Sequence, residues 1–335
     1  MRSPGLLHPI LRPALALVLV TAFSGCGEGD GPLDPTSESA AESAAANLAA
    51  PAEPSGGLSA VPTGQRIAFV SSGPTSSVWK MDPAGTQVAP LFTQSDGARS
   101  PAWSWDNTQV AMVRARWSNG VSHNDILVMN ADGTNQHWAR TQATVYHFAD
   151  PAWAPGGSRI MVTVYVLGVP TLGWIEPGTS KAGVLTFPGG GAIRGSRPSY
   201  NKAGTKILYV GEHFNTIEQI NPDGSGHAIR MTASAMLDYP AFSPDGARIL
   251  YEKASSNGKG DIYVKNLATG VTTRLTSSSA WDSHPSWSPD GTRVAFMSDR
   301  SGKRQIYTML AATGGSILRL TKDDYYTGDA PAWTH

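Results

Sequence analysis

The sequence predicts an all-β fold: a six-bladed β-propeller of four-stranded antiparallel blades, closed by pairing of the C-terminal strand with the first blade. Three observations carry this reading: a short recurring triplet, a pair of apolar segments behind each copy, and chain ends that are incomplete in complementary ways. The triplet is Pro-small-aromatic, found at Pro101-Ala102-Trp103, Pro151-Ala152-Trp153, Pro198-Ser199-Tyr200, Pro240-Ala241-Phe242, Pro285-Ser286-Trp287 and Pro331-Ala332-Trp333. Its prolines lie 50, 47, 42, 45 and 46 residues apart. That is the period of one propeller blade and is too long for ankyrin or leucine-rich units.

Each unit reads as strands A to D. The triplet sits on strand A, and the A-B turn follows as Ser-Pro-Asp-Gly at Ser243 to Gly246 and Ser288 to Gly291. Proline presets φ there, Asp bonds nearby backbone and Gly accepts positive φ. The other turns, Ser104-Trp-Asp-Asn107, Ala154-Pro-Gly-Gly157 and Asn201-Lys-Ala-Gly204, end in Asn or Gly and keep the same logic. Strand B recurs at 66–70, 109–114, 159–163, 206–210, 248–252 and 293–297, rich in β-branched and aromatic residues. Strand C is expected at 78–81, 126–130, 172–176, 216–221, 262–266 and 306–310, each leading to a polar turn such as Asn221-Pro-Asp-Gly224. The first copy starts at strand B, whereas Pro331 to Trp333 is a strand A without successors. Joined, the two ends complete one blade and leave no unpaired inner edge.

The unit resembles the WD40-like propeller repeat of the TolB family, whose hallmark is Pro-x-Trp-Ser-Pro-Asp-Gly. Pro285 to Gly291 carries that hallmark and Pro240 to Gly246 has Phe in place of Trp, while four copies are degenerate. The resemblance covers 64–335, and the sequence before it leaves no room for the small α/β domain that precedes the propeller in TolB proper. Related propellers serve as envelope partners, as peptidase gatekeepers and, occasionally, as polysaccharide lyases, so the motif specifies fold far better than function.

Residues 1–26 read as a lipoprotein signal peptide. Arg2 and Arg12 precede an apolar run from Ala14 to Val20, which ends at Phe23-Ser24-Gly25-Cys26. The run is shorter than the roughly 20 residues of a membrane span. Cys26 is the only cysteine, which excludes an intramolecular disulfide, and it stands where lipoproteins carry the acylated first mature residue; Phe23 occupies a position that is usually aliphatic. Gly27 follows, so the resemblance implies export and lipid anchoring at the outer membrane facing the periplasm, or at the cell surface. Residues 27–63 hold Ala, Ser, Gly, Pro and six acidic residues with no Lys or Arg. Such a composition forms no core and is expected to act as a tether with a reach of about 30 Å.

The whole chain is formally neutral, and 64–335 carries 24 basic against 20 acidic residues. That balance is too weak to indicate nucleic acid. Trp103, Trp153, Trp287 and Trp333 are expected to pack blade on blade. Antiparallel order places the A-B and C-D turns on one face of the ring and the B-C and D-A loops on the other. The loop face collects Arg99, Trp117, Tyr146, His147, Phe148, Arg194, Arg197, His213, Phe214, Trp281, His284, Tyr325 and Tyr326. Aromatic and Arg side chains are common recognition anchors. The expected function is therefore non-enzymatic binding of an envelope protein or peptide, or a glycan, by a monomeric propeller that contacts membrane only through its lipid anchor.

Asp150, Asp238, Asp282 and Asp329 precede the triplet prolines and could converge on the axis as oxygen ligands for Ca²⁺, or could pair with Arg99 and Arg197. No other cofactor is indicated. Hydrolase elbows, zinc helices and phosphate loops are absent from the sequence. One alternative is a metal-assisted polysaccharide lyase using His147, His213 and His284. Another is a structural subunit of an envelope complex.

Overall fold

The computed structural model describes residues 64–71, 77–93, 97–118, 120–140, 146–255, 258–321 and 328–335. The expected signal peptide with Cys26, the expected tether, Tyr325 and Tyr326 lie outside the described residues. Blade 1 contains β1 (Ile67–Ser71), β2 (Ser77–Met81) and β3 (Ala89–Phe92); blade 2 contains β4 (Arg99–Trp103), β5 (Gln109–Ser118), β6 (Val121–Asn130) and β7 (His137–Trp138). Blade 3 follows as β8 (His147–Trp153), β9 (Ile160–Val166), β10 (Val169–Ile175) and β11 (Ala182–Val184), and blade 4 as β12 (Gly195–Tyr200), β13 (Ile207–Gly211), β14 (Thr216–Ile220) and β15 (Ala228–Thr232). Blade 5 is β16 (Leu237–Phe242), β17 (Arg248–Ala254), β18 (Gly260–Asn266) and β19 (Thr272–Arg274); blade 6 is β20 (Asp282–Trp287), β21 (Arg293–Ser298), β22 (Gln305–Leu310) and β23 (Leu318–Arg319). The last strand, β24 (Gly328–Trp333), returns to pair with β1, so each of the six sheets has four strands.

The A strands touch one another in turn and line the axis, while the D strands form the rim. Rim strands are short, and β19 and β23 are exposed throughout, which limits edge-to-edge association. The A-B turns form as their residue types require. In three of them a serine hydroxyl accepts the amide five residues on, Ser104 from Gln109, Ser243 from Arg248 and Ser288 from Arg293, each at 2.9 Å. The same hydroxyls donate to Asp106, Asp245 and Asp290. Asn107, Gly157, Gly204, Gly246 and Gly291 take the left-handed backbone, with φ between 60° and 73°.

Strands B and C occupy the expected places, with one difference. β5 and β6 are ten residues each, longer than the pattern indicates, because their polar and apolar residues continue pairing up to Trp117↔Ser122 and Ser118↔Val121. Six apolar clusters make up the core among the described residues, and each lies between two neighbouring blades. The four tryptophans behave as blade-packing residues. All are buried, and the indoles of Trp103 and Trp287 donate to the carbonyls of Ala332 and Ala241 in the preceding blade.

Closure is explicit. Ile67 pairs with Trp333 and Ala68 with Ala332, and Thr334 continues the clasp by donating its amide to Arg66 O at 2.9 Å and accepting from Arg66 N at 3.1 Å. Trp333 is 4 % exposed and packs with Ile67, Phe69 and Met81 of blade 1 and with Ile306 and Leu320 of blade 6. Losing one buried Trp costs about 3–5 kcal/mol. Deletion of residues 331–335 is therefore expected to lower the melting temperature of the whole ring by about 10 °C or more; an unchanged melt would show that the clasp contributes nothing.

Candidate functional site

Every A strand carries a bulge. The A-B register shifts between Ala68 and Val70, Arg99 and Ala102, Ala149 and Ala152, Ser196 and Ser199, Asp238 and Ala241, and Ser283 and Ser286. At each bulge the residue before the triplet proline has positive φ: Ser100 (52°), Asp150 (50°), Arg197 (54°), Tyr239 (49°), His284 (52°) and Ala330 (46°). None is Gly or Asn, so each costs on the order of 1 kcal/mol and persists because the closed ring over-determines it. A bulge re-aims side chains. These six residues and their prolines surround a cavity of about 170 Å³ on the axis. Chain direction along strand A places this ring nearer the loop face than the triplet aromatics.

A polar network crosses four blades at this level. Thr163 donates to Asp150 Oδ2 at 2.8 Å and accepts the Arg197 amide at 3.0 Å. The Arg197 guanidinium joins Asp150 at 3.2 Å and Asp238 through Nε, and lies 4.3 Å above the Tyr239 ring. Tyr239 in turn packs against His284, with ring centroids 3.9 Å apart and the rings tilted by 36°. His284 Nδ1 lies 2.8 Å from Ser283 Oγ, and Ser283 donates to Glu252 Oε2. Trp281 Nε1 donates to Glu252 Oε1 at 3.2 Å, and Arg304 covers the Trp281 ring at 4.9 Å.

Burial sets the charge states here. For Arg197, burial alone would lower the pKa, but the carboxylates of Asp150 and Asp238 outweigh it and hold the guanidinium charged far above its ordinary value. Burial raises Asp238, with Arg197 opposing. It also raises Glu252, where hydrogen bonds from Ser283 and Trp281 only partly compensate, and the carboxyl is pushed up to about 7.

The structure thus brings Asp150, Arg197, Asp238, Trp281 and His284 together, and it leaves other expected residues apart. Trp117 (71 % exposed) and Tyr146 (47 %) stand in solvent on the loop face. His147 is exposed and accepts the Asn124 amide at 3.2 Å, Arg194 pairs with Glu212 at 3.0 Å, and Arg99 is the exposed first residue of β4 and does not line the axial cavity. Phe148 is a correction: it is 4 % exposed and belongs to the core between blades 2 and 3, because β8 already starts at His147 and alternation turns the next side chain inward.

The four carboxylates do not meet as one group among the described residues: Asp150 and Asp238 both join Arg197, Asp282 is fully buried against Arg300 at 2.9 Å, and the Asp329 side chain lies outside the described residues. Nor do His147, His213 and His284 meet: they sit in blades 3, 4 and 6, and no group of three or more His, Cys, Asp or Glu able to hold a metal occurs among the described residues. Sequence reasoning missed Tyr239, Ser283, Thr163 and Glu252. Tyr239 was findable, since it shares the repeat position of Asp150, Arg197 and His284. Glu252 had one signal, a lone acid within the otherwise apolar run Ile249-Leu250-Tyr251.

A larger cavity, about 420 Å³, occupies the turn-side end of the channel and is lined by the triplet aromatics together with Trp105, Lys202 and His335. It lies on the side opposite the loop face.

Ring, blades and repeat define the class: a six-bladed β-propeller of TolB-like repeats. Residues 231–334 match the family model described as the TolB beta propeller domain. Among curated relatives, an uncharacterized peptidase, YuxL, of Bacillus subtilis is 33 % identical over 109 residues, 31 % of this chain and 16 % of that protein. A TolB homolog of Chlorobium luteolum is 29 % identical over 123 residues, 36 % of this chain and 27 % of that protein. The chain therefore matches about a quarter or less of the length of these relatives. Among solved structures, TolB from Acinetobacter baumannii superposes with a TM-score of 0.66 at 19 % identity, covering 80 % of this chain and 66 % of that one. The putative TolB from Agrobacterium tumefaciens gives 0.60 at 17 % identity, covering 79 % and 91 %. At such identities the shared property is the fold.

The Glu252 carboxyl provides a test of the network. Its folded pKa exceeds the ~4.3 of an unfolded Glu, so its contribution is fully present below that value and is lost as pH rises through about 7. Glu252→Gln removes this titration. Between about pH 5 and about pH 8 the variant is expected to gain on the wild type by on the order of 2 kcal/mol in denaturant melts; a pH-independent difference would place Glu252 outside the buried network.

Proposed function

We propose that this protein is a non-enzymatic binding propeller that receives a peptide or protein segment at the loop-side mouth of its channel. The observation that carries the reading is the ring of strained, bulged residues on the axis, four of which present Asp150, Arg197, Tyr239 and His284 side chains to one small cavity. Backbone strain concentrates at ligand clamps and active sites. Arg197 is held rigidly by two carboxylates, so the mouth offers a fixed pattern of donors, acceptors and aromatic faces without the entropy cost of ordering loose side chains. Exposed Trp117 and Tyr146 extend the same face outward. The TolB-like repeat agrees with this mode. In this proposal the protein works as an exported, lipid-anchored component of the cell envelope.

The lyase alternative draws on His284 and on a carboxyl that titrates near neutrality. Glu252, however, stands behind Ser283 and Trp281 and does not line the axial cavity, so a substrate held there would not reach it. A glycan ligand and a purely structural docking face are outcomes of the same test. Cross-linked recovery from native envelopes is expected to yield a specific partner with the wild type, reduced at least about tenfold in a Trp117→Ala, His284→Ala variant that melts normally. Equal recovery by both proteins would remove the loop-side mouth as the binding site.

A further inference from the structure

The larger cavity at the turn-side end has its own chemistry, independent of the loop-side mouth. It is lined by the six triplet aromatics and by four of the triplet prolines, Pro101, Pro151, Pro198 and Pro285. Its volume of about 420 Å³ falls within the range of small-ligand pockets, about 300–1,000 Å³. What marks it is a departure from the repeat. Two residues after the triplet aromatic, blades 3, 5 and 6 have Pro155, Pro244 and Pro289, the residue that presets φ for the turn. Blades 1, 2 and 4 have His335, Trp105 and Lys202 at that position, and all three line the cavity.

Two of these departures form a built aromatic platform. The rings of Trp105 and His335 stack at 3.9 Å and 8°. Trp105 Nε1 is anchored on Trp153 O at 2.8 Å, and Asn107 brackets the His335 backbone with two hydrogen bonds of 2.9 Å. The third departure is a charge. Among the described residues Lys202 makes no hydrogen bond and no ion pair. The turn carboxylates Asp106, Asp245 and Asp290 belong to blades 2, 5 and 6 and are bound within their own turns by Ser104, Ser243 and Ser288. The turns of blades 3 and 4, Ala154 to Gly157 and Asn201 to Gly204, contain no carboxylate. Lys202 thus adds an unpaired cation to a cavity also lined by Trp105 and the triplet aromatics, in a sector whose two A-B turns hold no carboxylate.

We infer that this end of the channel binds a small carboxylate carried on a flat ring, with the ring against Trp105 and the apolar wall and the carboxylate on Lys202. Lysine suits this as an unpaired point charge on a flexible stem. Calorimetry with 2-naphthoate and its neutral counterpart 2-naphthamide tests the assignment. The wild type is expected to bind naphthoate at one site, and Lys202→Gln to weaken it about tenfold while changing naphthamide by less than about twofold. Trp105→Ala weakens both ligands, and His284→Ala, at the other mouth, alters neither. Absence of saturable naphthoate binding at concentrations of about 1 mM, an equal effect of Lys202→Gln on both ligands, or a loss caused by His284→Ala would overturn the inference. Lys202 is an exposed turn residue, so its variant tests charge without disturbing the core.

Discussion

Pairing of β24 with β1 is the constraint on which the rest of the ring depends. A single blade cannot bury its apolar faces, and each of the six core clusters lies between two blades. Blade 1 borrows its inner strand from the far end of the chain. Without that strand, Ile67, Phe69 and Met81 on one side and Ile306 and Leu320 on the other would lose Trp333 between them. The hydrogen bonds of Thr334 to Arg66 extend the clasp beyond the strand itself. Closure is thus a packing event and a hydrogen-bonding event at the same place.

Once closed, the ring brings six bulges to one axis and holds them in their strained backbone conformation. Residues 47 or 42 positions apart in the chain, such as Asp150, Arg197 and Tyr239, become neighbours across blades. The Arg197 ion pairs hold blades 3, 4 and 5 together at the channel. Burying such charges brings little net stability while all are present, but removing one partner leaves a buried charge uncompensated. Arg197 therefore acts first as a tie between blades, and Tyr239 and His284 supply the more adaptable surface. The two ends of the channel differ accordingly: a polar, narrow, strained ring toward the loops, and a wider aromatic cup toward the turns.

Much of the architecture was legible in the sequence because it is written in local chemistry. Turn residues such as Asn107 and Gly291 declare positive φ, β-branched runs declare strands B and C, and the isolated triplet at Pro331 declares the clasp. The site was less legible because it depends on relations between blades. Asp150 and Asp238 read equally well as metal ligands or as partners of Arg197, and only the register of neighbouring A strands decides for the arginine. Glu252 looks like a surface acid until Ser283 and Trp281 of the next blade close over it. Phe148 was placed on the loop face, yet it lies within β8, where alternation turns it into the core between blades 2 and 3.

The central claim is that closure makes the ring one cooperative unit, and native-state hydrogen exchange of Trp333→Ala tests it most directly. The account predicts that amides of β1 in blade 1 and of β13 in blade 4, on the opposite side of the ring, lose protection together, by roughly a hundredfold for about 3 kcal/mol. Loss confined to blades 1 and 6, with Leu208 to Val210 exchanging as in the wild type, would contradict it.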